Sequence, residues 1–299
     1  MQTKRVNIGP APVAMGFDSA LEGLSLAVVG HVEWVSFLSV AELPGPGSIC
    51  QAKAFREEPA GGGAVAAVQL ARLSRLPVKF YTALGKDGIG EQAAARLRAL
   101  GLDLEVAWRD APTRRGVSFV DPAGDRAITV IGQRLQPEAS DPLPWADLAL
   151  RDGVFVTATD APGLQLCRQA GVLAVTPRLS MALVAASGVS CDALIGSALD
   201  PAERVEPGEL HQPPRLRIAT EGAAGGWSEP GGRYPAQALP GLLVDSYGCG
   251  DSFAAGVTAG LAAGWSVAEA ICLGSRCGAA CATVFGPYAP RKARLRGSG

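Results

Sequence analysis

Between residues 242 and 253 the chain reads Leu-Leu-Val-Asp-Ser-Tyr-Gly-Cys-Gly-Asp-Ser-Phe. An apolar run feeds a turn flanked by Gly248 and Gly250. Phe253, Val257 and Leu261 then recur four apart until Gly264, which predicts a helix opening straight out of the turn. Glycines let the backbone turn tightly and approach a ligand. The first free N–H groups of a helix, with its dipole, favour an anion, and a phosphate fits that place. Asp251 falls in the first turn beside it. A carboxylate repels the anion, so its chemical use is to take the proton of a hydroxyl attacking phosphorus, as a general base. Spacing alone leaves open that Asp251 merely caps the helix.

Such a turn needs a strand-and-helix framework behind it. Leu26-Ala27-Val28-Val29 is a continuous apolar run ending at Gly30, as in a buried parallel strand. Val65, Val68, Leu73 and Leu76 fall on one helical face before Pro77, and Val78 to Ala83 reads as the next strand. Ile89, Ala93, Leu97 and Leu100 predict a helix stopped by Gly101. Later strand candidates are Val154–Thr157, Val172–Val175, Ala193–Ile195 and Leu216–Ala219. This alternation indicates βαβ units and a mainly parallel sheet covered on both faces. Two segments break the rhythm, Glu33 to Glu58 and a hairpin from Arg115 to Ile131 around Asp121-Pro122-Ala123-Gly124-Asp125. Two antiparallel excursions predict a small accessory sheet, usable as a lid.

Composition bounds the function. The 299 residues are 48% apolar and 18% charged with a formal net charge of -1, so a large core is available. Near-neutrality argues against nucleic-acid or membrane-surface binding by bulk electrostatics. The longest uncharged run, Ser252 to Ala268, falls short of the about 20 apolar residues of a membrane span. Residues 1–24, with Lys4-Arg5 and then Gly9-Pro10 and Pro12, read as a disordered leader. Seven Cys without a C-x-x-C pair point to a reducing cytoplasm. Cys272, Cys277 and Cys281 read as small core residues on one helix face rather than as a metal or redox cluster.

The segment around Asp251 resembles the C-terminal Asp-Thr-x-Gly-Ala-Gly-Asp-x-Phe pattern of the PfkB/ribokinase family of carbohydrate kinases, with Ser246 for the Thr and Cys249 for the Ala. Gly61-Gly62-Gly63 and the helix to Leu73 look like the family's N-terminal Gly-Gly signature. Gly85-Lys86-Asp87-Gly88-Ile89-Gly90 looks like its Gly-x-Asp-x-x-Gly turn, and the hairpin like its lid pair. Thr220-Glu221-Gly222, with Gly225-Gly226, is similar to its nucleotide-binding turn, and Ala270 to Val284 with Gly286 to its closing segment. The likeness runs in order from about Leu26 to Pro290.

It implies an α/β, ribokinase-like Rossmann-type core: a mainly parallel sheet with helices on both faces, plus a small β-sheet lid. One kinase domain would span residues 25–290, with lid segments at about 33–58 and 112–131 and a tail from 291 to 299. It implies transfer of the γ-phosphoryl group of ATP to a primary alcohol, usually on a sugar. Asp251 would be the base, and the N–H groups of Gly248, Cys249 and Gly250 the anion hole. Gly61 and Gly62 would line the substrate site. Thr220, Gly222, Gly225 and Ser246 would line the nucleotide site, with Mg2+ bridging phosphates largely through water. The lid would pair two copies into a homodimer.

Departures cluster on the substrate side. Val35 stands where the family carries an Asp for sugar hydroxyls. Glu33, two residues earlier on the same strand face, is the candidate replacement. His31 reads as a satisfied buried or rim residue, and Trp34 as either a ring-stacking or a lid-packing residue. Ala66 replaces an Asn that contacts substrate. Arg114 and Arg115 are candidates to bind an anionic group instead. Ser197 and Asp200 replace an Asn-x-x-Glu motif, with Glu203 beyond, leaving Asp200 as the metal candidate. The expected function is ATP-dependent phosphorylation of a sugar or sugar-like molecule. A regulatory binder on the same fold and a nucleoside or vitamin kinase are the alternatives.

Overall fold

A computed structural model describes residues 17–206, 208–210 and 212–288. In chain order the elements are α1 (Phe17–Leu21), β1 (Leu26–Val29), β2 (Glu33–Ser39), β3 (Ala54–Ala60), α2 (Gly62–Ser74), β4 (Val78–Gly85), α3 (Gly88–Ala99), β5 (Leu102–Arg109), β6 (Arg115–Val120) and β7 (Arg126–Ile131). They continue as β8 (Gly153–Val156), α4 (Ala161–Cys167), β9 (Val172–Val175), α5 (Met181–Ser187), β10 (Ala193–Ser197), β11 (Leu216–Thr220), β12 (Gly226–Glu229), β13 (Gly232–Tyr234), α6 (Cys249–Ala262) and α7 (Val267–Cys281).

Nine strands form the main sheet in the order β13-β12-β11-β10-β9-β8-β1-β4-β5. All neighbours from β11 to β5 run parallel, while β12 and β13 turn back antiparallel at one edge. Alternation along the strands splits the core. Leu26, Val28, Phe80, Phe155 and Ala174 face α2 and α6. Ala27, Val29, Tyr81, Val154 and Leu173 face α4 and α5. Burial on both faces is why β1, β4 and β8 read as unbroken apolar runs.

The smaller sheet has the order β3-β2-β6-β7. Both hairpins are antiparallel, as expected, but β2 and β6 meet in parallel and join the two excursions into one lid. The first lid segment extends to Ala60, beyond the expected residue 58.

Three expectations shift. The boundary at residue 24 falls too late, because Leu21 of α1 is buried in the core and Gly23 N–H donates to Ser74 O. Residues 1–16 of the expected leader and the expected tail lie outside the described residues. Leu76 does not share the α2 face: Arg75 turns left-handed at φ 57, ends the helix, and leaves Leu76 exposed. The last helix sits three residues earlier than expected, because Ser266 and Glu269 form a reciprocal capping box. Among the described residues no helix is long and apolar enough to cross a membrane.

Helix α6 bears the Gly248–Asp251 turn, and α7 presses on it along glycines. A Cβ on Gly256 would stand 2.7 Å from Gly274 Cα, and one on Gly274 would stand 2.7 Å from Phe253 O. Gly256→Ala should therefore destabilise the fold. Helix propensity gains about 1 kcal/mol, but the backbone clash costs about 1–3 kcal/mol. Thermal unfolding should move down by a few degrees; an unchanged or raised Tm would mean that the helices part freely.

Candidate active site

The turn before α6 leaves the helix N-terminus uncapped. Gly248 is the N-cap in left-handed geometry, φ 76, and a Cβ there would lie 2.9 Å from Val65 Cγ1. No side chain caps the helix. Cys249 N–H makes a long 3.4 Å bond back to Ser246 O, whereas Gly250 and Asp251 N–H have no acceptor among the described residues. Gly248 N–H is likewise without an acceptor among the described residues, so two of the three expected donors, Gly248 and Gly250, are free and Asp251 N–H adds another. Asp251 does not cap the helix with its side chain.

Opposite lies the start of α2. A Cβ on Gly62 would stand 2.8 Å from Asp251 Oδ1, one on Gly61 3.1 Å from the His31 ring, and one on Gly63 2.7 Å from His31 O. Gly62 is therefore required by the close packing of two helix N-termini, and Gly61 and Gly63 by the packing of α2 against His31. Gly61 N–H donates to the buried Tyr247 hydroxyl at 3.0 Å. Asp251 accepts no side-chain or backbone hydrogen bond from a described residue. Burial, and secondarily the charge of Glu203, push its pKa up to about 6 despite Arg178 and Arg126.

His31 is buried and bonded, as the sequence suggests. Its Nε2 accepts from Gly62 N–H at 3.4 Å, which leaves the proton on Nδ1, 3.3 Å from Thr157 Oγ1. Burial, then the charges of Arg134, Arg114 and Arg178, lower its pKa to about 3. Glu33 shares the inward face of β2 with Val35, and both are buried. Its Oε1 lies 3.1 Å from Arg114 Nε and 4.0 Å from His31 Nε2. Burial raises its pKa, opposed by the same three arginines.

The Gly85–Gly90 turn acts at a distance. Asp87 caps α3 through Gly90 N–H at 2.7 Å and also accepts from Thr113 N–H and Oγ1, both at 2.8 Å. A Cβ on Gly85 would lie 2.5 Å from Thr113 N. This motif clamps the residue before Arg114 and so sets where Arg114 enters the pocket. Arg115 goes elsewhere. It lies with Trp34, Ser36 and Glu57 around a cavity on the outer face of β2, because successive strand residues face opposite ways. Neither Arg115 nor Trp34 joins Glu33.

Of the expected nucleotide residues, Thr220 ends β11, and Gly222 and Gly225 take positive φ of 60 and 87. A Cβ on Gly225 would strike Tyr234 O. Ser246 Oγ accepts from Arg126 Nη1 at 2.8 Å and donates to Gly124 O at 3.2 Å, tying the lid tip to the loop before α6. Asp200 pairs with Arg178 and caps its own short 3-10 turn. Glu203 accepts from Arg178 Nε at 2.6 Å and from Ser197 N–H at 2.8 Å. Asp200 is therefore occupied structurally, and no group of three His, Cys, Asp or Glu side chains among the described residues could hold a metal by itself. All seven cysteines are free, and Cys277 is a core residue on α7.

Arg126, Arg134, Arg178, Asp87 and Thr157 were not among the expected site residues. Asp87 stood within a recognised motif. The arginines follow strands at the sheet's C-terminal edge or lie at the lid ends, where sequence spacing gives no sign of direction.

With this geometry in place, comparison with known proteins gives a consistent answer. The model of the pfkB family carbohydrate kinases matches residues 24–170 and 191–294, and the chain belongs to that family. Among solved structures, Arabidopsis thaliana ribokinase complexed with ribose and ATP is similar at 19% identity and a TM-score of 0.67, over 88% of this chain and 94% of that one. A PfkB protein from Polaromonas is 22% identical with a TM-score of 0.65, over 89% and 97%. A nucleoside kinase from Methanocaldococcus jannaschii is 15% identical with a TM-score of 0.59, over 87% and 92%. At these identities the structures establish the shared fold.

The site's charge state gives a direct test. With its pKa near 3, the His31 imidazole should show a flat Cε1 proton NMR shift between pH 8 and pH 5. A midpoint near 6.5, as for an ordinary histidine, would contradict the closed, bonded setting.

Proposed function

We propose that this pfkB-family kinase transfers the γ-phosphoryl group of ATP to a primary hydroxyl of a sugar or sugar-like small molecule, with Asp251 as general base. The observation that carries this reading is the Asp251 carboxylate. It is half-buried, without a hydrogen-bond donor, raised to about 6, and adjacent to the free N–H groups of Gly250 and Asp251. A structural cap would be bonded and would sit near its ordinary pKa. A base that must be ionised yet basic near neutral pH has these properties.

The acceptor hydroxyl would lie above Gly62, within reach of Asp251. As its oxygen bonds to the γ-phosphorus, the bond from that phosphorus to the β-bridging oxygen breaks, ADP leaves, and the hydroxyl proton passes to Asp251. Charge spread over the transferring oxygens meets the N–H groups at the start of α6 and the Arg126 guanidinium, held at the loop by Ser246. Mg2+ bound with the nucleotide would supply neutralisation of phosphate charge, and would need few protein ligands. Asp200 would reach it only by leaving Arg178. The turn Thr220–Gly225 is the proposed nucleotide contact. Exposed Ile128 and Val130 on β7 support the lid as a homodimer surface.

A sugar is favoured over a nucleoside because Trp34, the aromatic that could stack on a base, lies on the opposite face of β2 from Glu33. A pure binder has no use for a carboxylate tuned in this way.

Asp251→Asn should lower kcat by about 10²–10⁴-fold while ATP binding, read by thermal shift, persists. Full turnover in this variant would remove Asp251 from the base role. In the parent protein kcat/KM should rise with pH through an apparent pKa of about 6, because the base works only when deprotonated. That limb should be absent from the residual activity of Asp251→Asn.

A further inference from the structure

The acceptor pocket has few groups left for neutral hydroxyls, and two of its guanidinium groups have no hydrogen-bonded carboxylate among the described residues. Val35 and Ala66 present only buried apolar surface. Glu33 is the carboxylate on that side, and it is already beside Arg114. The Arg114 Nε is 3.1 Å from Glu33 Oε1, yet off the line of a hydrogen bond, and this buried donor has no other partner.

A second guanidinium approaches from the other strand of the hairpin. Arg115 pairs with Ile131 across β6 and β7, so Arg114 and Gly132 lie together at the hairpin base. A Cβ on Gly132 would stand 4.0 Å from Arg114 Cα. Arg134 follows two residues later, and its Nη1 donates to Arg178 O at 3.2 Å. That bond engages a backbone carbonyl; among the described residues Arg134 has no carboxylate partner. Arg178 differs, because Glu203 and Asp200 take its guanidinium. The charges of Arg114 and Arg134 both act on His31, after its burial, to keep the imidazole neutral. Two guanidinium groups therefore face one carboxylate whose own ionisation is disfavoured by burial. Crowding these like charges in a partly buried place carries an energetic cost that an anionic ligand would reverse.

We propose that the phosphoryl acceptor is an anionic sugar derivative, whose carboxylate or phosphate group is held by Arg134 together with Arg114 while its free primary hydroxyl lies at Asp251. The planar guanidinium forks suit either oxyanion, because both offer paired oxygens. This substrate class rests on the phosphoryl-transfer reading above, but the anion site can be tested apart from it.

The test uses the full chain with glucose, fructose, gluconate and fructose 6-phosphate, each offering a primary hydroxyl. ADP release with ATP and Mg2+ gives turnover, and thermal shift without nucleotide gives binding. At least one anionic compound should exceed its neutral counterpart in kcat/KM by about 10-fold or more. Arg134→Met should raise KM for that compound by about 10–100-fold, with a smaller fall in kcat and with the KM for ATP and Tm unchanged. Arg134→Lys, which keeps the charge but loses the fork, should recover part of the loss. Preference for gluconate would identify a carboxylate guest, and preference for fructose 6-phosphate a phosphate one. Equal or better use of the neutral sugars, an unchanged KM in Arg134→Met, or no turnover and no thermal shift with either anion would overturn the proposal. Anion-dependent shifts lost in Arg134→Met, without ADP from any acceptor, would uphold the anion site and reject the transferase reading.

Discussion

The N-termini of α2 and α6 meet with no room for a side chain between them. Asp251 Oδ1 occupies space that a Cβ on Gly62 would need, and Val65 Cγ1 occupies space that a Cβ on Gly248 would need. The Tyr247 hydroxyl bonds Gly61 N–H across the same junction, while Tyr247 N–H donates to buried Asp245, whose other oxygen accepts from Gly286 N–H. Most other features of the site follow from this approach. It brings the positive ends of two helix dipoles to one place. It closes Asp251 off from solvent on one side, and it presses α2 onto His31, which fixes the ring between Gly62 and Thr157.

Burial then acts in opposite directions on two neighbours, by one mechanism. Removing water disfavours the charged form of each, so the Asp251 pKa rises while that of His31 falls. The arginines oppose the shift at Asp251 and reinforce it at His31. Near neutral pH the pocket therefore holds an ionised carboxylate and an uncharged imidazole, so their roles differ. Only Asp251 is poised to gain a proton there; His31 is a neutral wall that orders Gly62. The lid contributes at its base because Asp87 grips Thr113, which makes a turn at the edge of the main sheet a determinant of where Arg114 points.

The glycine motifs were legible in the sequence because backbone crowding leaves few alternatives to Gly. Gly61–Gly63, Gly85, Gly225 and Gly248 each mark a contact that a Cβ would obstruct. The alternation of strands was legible because a sheet buried on both faces demands unbroken apolar runs. Strand periodicity puts Glu33 on the same face as Val35, which made it the candidate replacement, and the same periodicity separates Trp34 and Arg115 from the pocket once β2 and β6 are paired. What the sequence did not disclose was ion pairing. Asp200 and Arg178 are far apart along the chain, and only the fold joins them and turns a metal candidate into a cap and counter-ion. The net charge of -1 hid the local cluster of arginines for the same reason. Charges sum over the chain, whereas a pocket responds to those within a few ångströms.

The β6–β7 hairpin connects the two ends of the proposed reaction. Its tip is seated on the loop before α6: a Cβ on Gly124 would lie 2.8 Å from Leu243 Cγ, and Arg126 and Gly124 O both bond Ser246 Oγ. Its base carries Arg114 and leads to Arg134. Six-residue strands span about 20 Å, so one element reaches from the proposed place of substrate recognition to the proposed place of phosphoryl transfer. An acceptor whose remote anion grips the base would hold the whole hairpin in register, and with it the Arg126 cation at the tip. Binding energy from a group that does not react would then appear partly in the rate of transfer, the condition under which remote binding contributes to catalysis. A neutral acceptor of the same shape would fill the pocket without that hold on the base, and the hairpin's order would rest on the tip contacts alone.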